Sequence, residues 1–501
     1  MRKLFFHLST FALLLLLFLQ PLAFAGNDSG EVRSGIPRYT LEQAILTALQ
    51  RNADIQRAKQ EIERAKGVYL ELRADALPRV DAGGTFVNTD GHLGRFTGDG
   101  GGPGVGVESR YNFSLRATQI VFAGGRVVSQ IRSSEFQRDS AYFGFRDTID
   151  TVVAQVRQQF YLVLLNRALI GVQEESVNLL RSQLEDQQNR FDAGTVPRFN
   201  VLQAQVALSN QYPELIRARN DYQIATLQLA KTIGLDFDPA RGGGPPLEAV
   251  GELRSVPRNI PLSRAIELAK ERRPLLKQQK ANVLATNAQV GVARAGYFPE
   301  IRATGGSDFL SSPISTDIND VRSGYVVGAN GTWAIWDWGQ TYGRVKQARA
   351  LREQAKITLD DANRQVELEV QQAYSNMIQS RELIRSQEQT VGQAQEALRL
   401  ASARLSAGAG TQLEVLNARV EVTRALSISF QALYAYNNSV AEFDRATATE
   451  VRYANELDEP KTRDRVKSEA RPTPPPKPTP LPLNRAGNRQ PVTTTRSGGG
   501  K

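Results

Sequence analysis

The feature that most narrows the possible folds is that the chain contains itself twice. Leu41-Glu42-Gln43-Ala44-Ile45 returns 221 positions later as Leu262-Ser263-Arg264-Ala265-Ile266. The same offset pairs Ala48 with Ala269, Arg51 with Arg272, Lys59 with Lys280, Arg73 with Arg294, and Leu77-Pro78 with Phe298-Pro299. Further on the offset is 214, pairing Val121-Phe122 with Ile335-Trp336, Gly125 with Gly339, Ala193-Gly194 with Ala407-Gly408, and Val201-Leu202 with Val415-Leu416. The register drops by seven between the blocks, so the second half has a shorter loop and unchanged helices. Repeats over 39–235 and 261–448 follow, joined by a linker at 236–260.

Both halves read alike. A short helix near Leu41–Arg51 precedes a second that runs to about Ala76. Thr40 and Gln43 form a capping box for the first. Pro78 and Pro299 end the second helices, because proline cannot continue the hydrogen-bond ladder. A strand pair, a very long helix, a turn and a shorter helix complete each half.

The strands have two unlike faces. Tyr111, Phe113, Leu115 and Ala117 alternate with Asn112, Ser114, Arg116 and Thr118. In the second half Tyr325, Val327, Ala329, Gly331, Trp333 and Ile335 share one face. Such a pattern over about ten residues suits a strand crossing an outer membrane, with Tyr325 and Trp336 at the lipid interface. A half-buried sheet of a soluble protein gives the same alternation. The connecting loops, Gly98–Gly106 and Ser311–Ser323, are expected to be exposed, and Gly98–Gly102 lacks the Lys-Ser/Thr ending of a phosphate cradle. Four strands cannot close a barrel, and open edges are not tolerated in lipid. Strands of this kind in a membrane require several chains to pool them, in a number the pattern does not fix.

The long helices carry a seven-residue apolar repeat: Tyr142, Ile149, Val156, Val163, Ile170, Val177, Leu184 and Phe191, then Val370, Met377, Ile384, Val391, Leu398 and Leu405. This is a coiled-coil seam. The alternate seam positions mix Val153 and Phe160 with Arg167, Glu174 and Arg181, which suits helices packed side by side in a wall. Arg126–Arg190 corresponds to roughly 98 Å of helix. No single later helix is expected to match it. Ala53–Ala76 and Arg198–Ile233 stacked end to end would lie beside it.

Composition removes other classes. Residues 1–25 read as a cleaved secretory signal, with Arg2 and Lys3, an apolar run over Phe11–Leu19 and Ala23-Phe24-Ala25, and a segment at 26–38 precedes the first repeat. The chain has no cysteine and two histidines, His7 in the signal and His92 in a glycine-rich stretch, so disulfides and thiolate metal sites are excluded and no metal or other cofactor is expected. Asp360-Asp361 reads as part of a solvated helical charge pattern. The net charge of +10 resides in the signal and in the stretch Pro460–Lys501, within a basic, Pro-rich tail at 449–501 expected to be disordered. A neutral body is not that of a nucleic-acid binder.

Taken in order, the duplicated Leu-x-x-Ala-Ile segments, Phe122–Gly125 and Trp336-Asp337-Trp338-Gly339, and the turns Arg190–Thr195 and Arg404–Ala409 resemble the TolC-like outer-membrane efflux family from Tyr39 to about Ala448. The resemblance implies a mainly α fold with a small β part. Three chains would share a twelve-stranded transmembrane barrel in outer-membrane lipid, continued by a coiled-coil α-barrel across the periplasm. It implies a homotrimeric, non-enzymatic duct served by a periplasmic adaptor protein and an inner-membrane pump. The adaptor-docking tip would comprise Arg190, Ala193, Gly194, Thr195, Arg404, Ala407, Gly408 and Ala409. The family's acidic constriction falls on Glu414 and Asn417, of which only Glu414 keeps the acid. Ala193, Thr195, Ala407 and Ala409 replace the larger apolar residues usual beside the turn glycines, and Pro197 lies close by. Export of proteins by type I secretion uses the same tube, and a secreted coiled-coil structural protein is the reading from a different class.

Overall fold

The structure, a computed structural model, describes residues 36–88, 109–236, 246–311 and 321–449. The signal, His92, the Gly98–Gly106 loop and the Pro-rich tail beyond Thr449 lie outside these residues.

The first repeat comprises β1 (Arg38–Tyr39), α1 (Leu41–Arg51), α2 (Ala53–Ala74), β2 (Arg79–Asn88), β3 (Ser109–Ala123), α3 (Arg126–Asp192) and α4 (Arg198–Ile233). After β4 (Glu248–Ala249) the second comprises α5 (Leu262–Arg272), α6 (Pro274–Arg294), β5 (Glu300–Ser311), β6 (Val321–Thr332), α7 (Gln340–Ser406) and α8 (Gln412–Thr447). The linker is thus not wholly irregular, since β4 pairs in parallel with β1.

The expectation that nothing later equals the first long helix is corrected: α3 and α7 are both 67 residues, about 100 Å. The reason was already in the repeat. The Val370–Leu405 seam has no proline to stop it, and Gly343 and Gly392 are tolerated inside the helix. In the half nearer the sheet α3 packs between α2 and α6, with α7 beyond α6; in the far half it packs between α4 and α8, with α7 beyond α8. The result is a wall of side-by-side helices.

The core sits at mid-height and is itself duplicated. Ala44, Ala48, Ile55, Val152, Val156 and Leu229 form one apolar cluster. Their counterparts Ala265, Ala269, Leu276, Val366, Val370 and Phe443 form the other. Each fully buried valine, leucine or phenylalanine contributes about 1.5–3 kcal/mol. Polar contacts repeat too. Buried Asn52 donates from Nδ2 to the Thr232 carbonyl at 2.7 Å, and buried Arg273, its equivalent, donates from Nη1 to the Ala446 carbonyl at 3.2 Å. At the start of α1, Thr40 Oγ1 accepts from Gln43 N–H while Gln43 Oε1 accepts from Thr40 N–H. Along the seam Val156, Val163, Val370 and Met377 are buried, whereas Leu184, Leu398 and Leu405 towards the far end are only half-buried.

Strands β2-β3-β5-β6 form one antiparallel sheet in that order. Register aligns Val80, Ala117, Gly305 and Val327 in one row, Ala82, Leu115, Ser307 and Tyr325 in the next, and Gly84, Phe113, Phe309 and Ser323 in a third. This face is predominantly apolar, and the Phe113 and Phe309 rings meet at 6.1 Å. The opposite face carries Asp81, Arg116 and Asp308, with Arg116 Nη2 donating to Asp308 Oδ2 at 2.7 Å. The outer strands β2 and β6 are exposed throughout. Strand β6 stops at Thr332, short of the Ile335 expected. Its partner β5 begins opposite Thr332, at Glu300, so the ladder has nowhere to continue. Trp333 instead donates its Nε1–H to the Tyr297 carbonyl at 3.2 Å.

Candidate functional site

Both long helices run away from the sheet and reverse at the far end through matched turns. Gly194 N–H donates to the Phe191 carbonyl at 2.8 Å and Thr195 N–H to the Arg190 carbonyl at 2.9 Å. In the second turn Gly408 N–H donates to Leu405 at 3.1 Å and Ala409 N–H to Arg404 at 2.9 Å. These are Schellman closures, which place the residue after the C-cap in the left-handed region. Gly194 has φ +70° and Gly408 φ +75°, and a Cβ at either meets nothing within 4 Å. Conformation alone therefore selects glycine there. Thr195 Oγ1 adds a bond to the Arg190 carbonyl at 2.8 Å, and Arg404 Nη2 donates to the Ala409 carbonyl at 3.2 Å. The eight sequence-predicted tip residues thus fall at the two turns, one set on each hairpin.

The return helices start differently. Pro197 precedes α4 and supplies no side-chain cap. Thr411 precedes α8, its Oγ1 accepting from Glu414 N–H at 3.2 Å. Glu414 lies in the first turn of α8, where the helix dipole favours an anion, and its carboxylate is 3.7 Å from Arg404. Asn417 lies one turn further on and is exposed. Val415 and Leu416 between them are buried, as is Val201 in the first repeat, so Glu414 and Asn417 flank an anchored pair. Phe199 and Leu413, equivalent by the repeat, are both exposed just past the turns.

One tip residue escaped the sequence reading. Arg419 on α8 donates from Nη1 to the Leu179 carbonyl on α3 at 3.1 Å, tying the second hairpin to the first. Its guanidinium is half-buried, and burial pulls its pKa down from the usual arginine value. Nothing in the sequence links positions 240 apart. At the sheet end, Ala123-Gly124-Gly125 corresponds to Asp337-Trp338-Gly339 by the repeat. Gly124 has φ +58° and Trp338 has φ +52°, so a tryptophan occupies a left-handed position that its counterpart fills with glycine. That alignment was the signal available for it.

Among the described residues no group of acidic or histidine side chains is arranged to hold a metal, and no helix is long and apolar enough to cross a membrane. The polar contacts at the tip hold helices together and converge on no reacting centre.

The family model for outer membrane efflux proteins matches residues 44–235 and 265–449, one match on each repeat. The chain belongs to the outer membrane efflux protein family. The chain is 26% identical over 303 residues to the probable efflux pump outer membrane protein TtgC of Pseudomonas putida, covering 58% of this chain and 57% of that one. It thus spans little more than half the length of that relative. It is 23% identical over 412 residues to the outer membrane protein TolC of Escherichia coli, covering 79% of each. The CmeC outer membrane channel of Campylobacter jejuni has the same fold, with a TM-score of 0.73 at 18% identity over 81% of this chain and 85% of that one. Family membership places the chain in the outer membrane, extending into the periplasm.

Proposed function

We propose that the protein is the outer-membrane duct of a tripartite efflux system, passively conducting what an inner-membrane pump and a periplasmic adaptor deliver. The observation that carries this is the four-stranded sheet with one largely apolar face and two bare edges, set on helices of about 100 Å. Unpaired strand edges are not tolerated in lipid. A second and a third copy supply the missing partners, β2 of one chain joining β6 of the next. The apolar rows then face lipid, and Arg116 and Asp308 line the lumen. The edges of the helical wall carry exposed Leu351, Ile357, Val206 and Ile216, which neighbouring copies would cover.

At the far end the turns at Arg190, Ala193, Gly194, Thr195, Arg404, Ala407, Gly408 and Ala409 form the surface that meets the adaptor. Exposed Phe199 and Leu413 beside them supply apolar anchors. Three copies of Glu414 would ring the tip and favour cations, with Asn417 as a neutral second ring. The name of TtgC favours an efflux pump over protein secretion as the system served.

Single-channel recording of the purified protein in planar bilayers tests conduction. Discrete, cation-favouring steps whose cation preference falls in Glu414→Gln are expected. Trimers that insert and never conduct would overturn the reading.

A further inference from the structure

The protein has three tryptophans, and all fall within six residues, at Trp333, Trp336 and Trp338. They stand where β6 ends and α7 begins. Trp336 is 74% and Trp338 90% exposed, and their rings meet edge to face at 5.7 Å. Trp338 holds this place in a left-handed backbone conformation that only glycine adopts without strain. The first repeat uses Gly124 there, and Phe298 Cβ lies 2.7 Å from where a side chain would start. In the second repeat an exposed indole is kept despite the strain, packed among the described residues against the equally exposed Trp336.

The geometry points to a headgroup seat for anionic phospholipid on the periplasmic side of the bilayer, built from the Trp336–Trp338 pair and the basic face of α7 below it. Two observations select this occupant. The patch directly follows the end of β6, whose row of Tyr325, Val327, Ala329 and Gly331 is mostly apolar, where the sheet gives way to α7. Tyr342, Lys346 and Arg349 follow on α7 at i, i+4 and i+7, all exposed, so cations lie immediately on the aqueous side of the indoles. Indoles settle at the headgroup level, while lysine and arginine just outside reach phosphate. The nearby carboxylates are already engaged. Asp337 accepts from Gly339 N–H at 3.0 Å and Thr341 N–H at 2.7 Å, and Glu300 pairs with Arg126 and Arg302. The inference rests on the sheet crossing the membrane.

Because there are no other tryptophans, fluorescence excited selectively at tryptophan reports on Trp333, Trp336 and Trp338 alone. The full-length protein is reconstituted in phosphatidylcholine vesicles with and without phosphatidylglycerol, with a quencher on the headgroup or deep in the chain of either lipid. Headgroup-labelled phosphatidylglycerol should quench several-fold more than headgroup-labelled phosphatidylcholine, and deep-chain labels least. K346Q/R349Q should lose the preference and keep the quenching. Trp336→Phe combined with Trp338→Gly, the residue the first repeat carries, should fold and lose most of the quenching. Equal quenching by both headgroups would overturn the anionic seat. Quenching by aqueous acrylamide alone would place the patch in water, and protection from every quencher would make it a contact between copies; either overturns the proposal. Conductance of the same vesicles separates these outcomes from failure of the duct itself.

Discussion

Arg157 on α3 donates from Nη1 to Asp444 Oδ2 on α8 at 3.0 Å, and both side chains are almost wholly out of water. The pair joins the first repeat's long helix to the second repeat's last helix. Arg258 from the linker reaches the same oxygen at 3.0 Å but is half-exposed. One carboxylate thus ties both repeats and the segment between them.

Removing that carboxylate takes the shared anion from two guanidiniums. Asp444→Ala is expected to cost about 3–5 kcal/mol, as breaking buried pairs does. Arg258→Gln, at the exposed arm, should cost no more than about 1 kcal/mol. Denaturant unfolding of the detergent-extracted protein measures both.

A second cluster makes stability depend on pH in two directions. Arg273 lies 2.9 Å from Glu369 and 3.7 Å from Asp147. Burial pushes the Glu369 carboxyl up, but the Arg273 and Arg445 guanidiniums outweigh it and hold it below the usual glutamate range. Its stabilisation is therefore present above the unfolded value and lost as pH falls through the lowered one. At Asp147 burial wins over the same cations and raises the carboxyl. Its contribution is present below the unfolded value and lost as pH rises through the raised one. Glu369→Gln should flatten the acid loss of stability and Asp147→Asn the opposing slope, read from unfolding midpoints over about pH 3 to 7.

Much of this was legible in the sequence, because a duplication states each element twice. Leu41–Arg51, the first long helix and the four strands follow from periodicity and from prolines that recur at the offsets of 221 and 214. The match between Asn52 and Arg273 is the offset of 221, and that between Val156 and Val370 the offset of 214, seen in three dimensions. Contacts between the halves were not legible. Arg157 and Asp444 are 287 residues apart, and neither repeat contains both partners. The end of β6 was misjudged because alternation continues through Ile335 although its partner strand does not. The left-handed Trp338 was hidden because a bulky residue gives no turn signal where Gly124 does.

The tip glycines and a mid-height glycine should respond differently to alanine. Gly194→Ala and Gly408→Ala meet no neighbour and should cost about 1–2 kcal/mol, from the left-handed backbone alone. Gly234 has φ +73°, and its added Cβ would lie 2.6 Å from the Arg51 carbonyl oxygen, so Gly234→Ala should cost distinctly more. Hydrogen exchange should show the first two loosening only the tip and the third loosening α1 and α4 together.

Arg419 is where the hairpins should part. With its bond to the Leu179 carbonyl gone, Arg419→Ala frees α8 from α3 in a stretch where the seam is thinly buried. Larger or more frequent conductance steps are expected in planar bilayers, with unfolding shifted little. An unchanged conductance would mean that the tip is held elsewhere.

The shared barrel rests on the number of chains that close it, and the native mass of the mature protein extracted from outer membranes in mild detergent measures that number directly. A mass of three chains is expected, with β2 of each chain beside β6 of the next. A stable, folded monomer would leave both strand edges bare in lipid and contradict the duct.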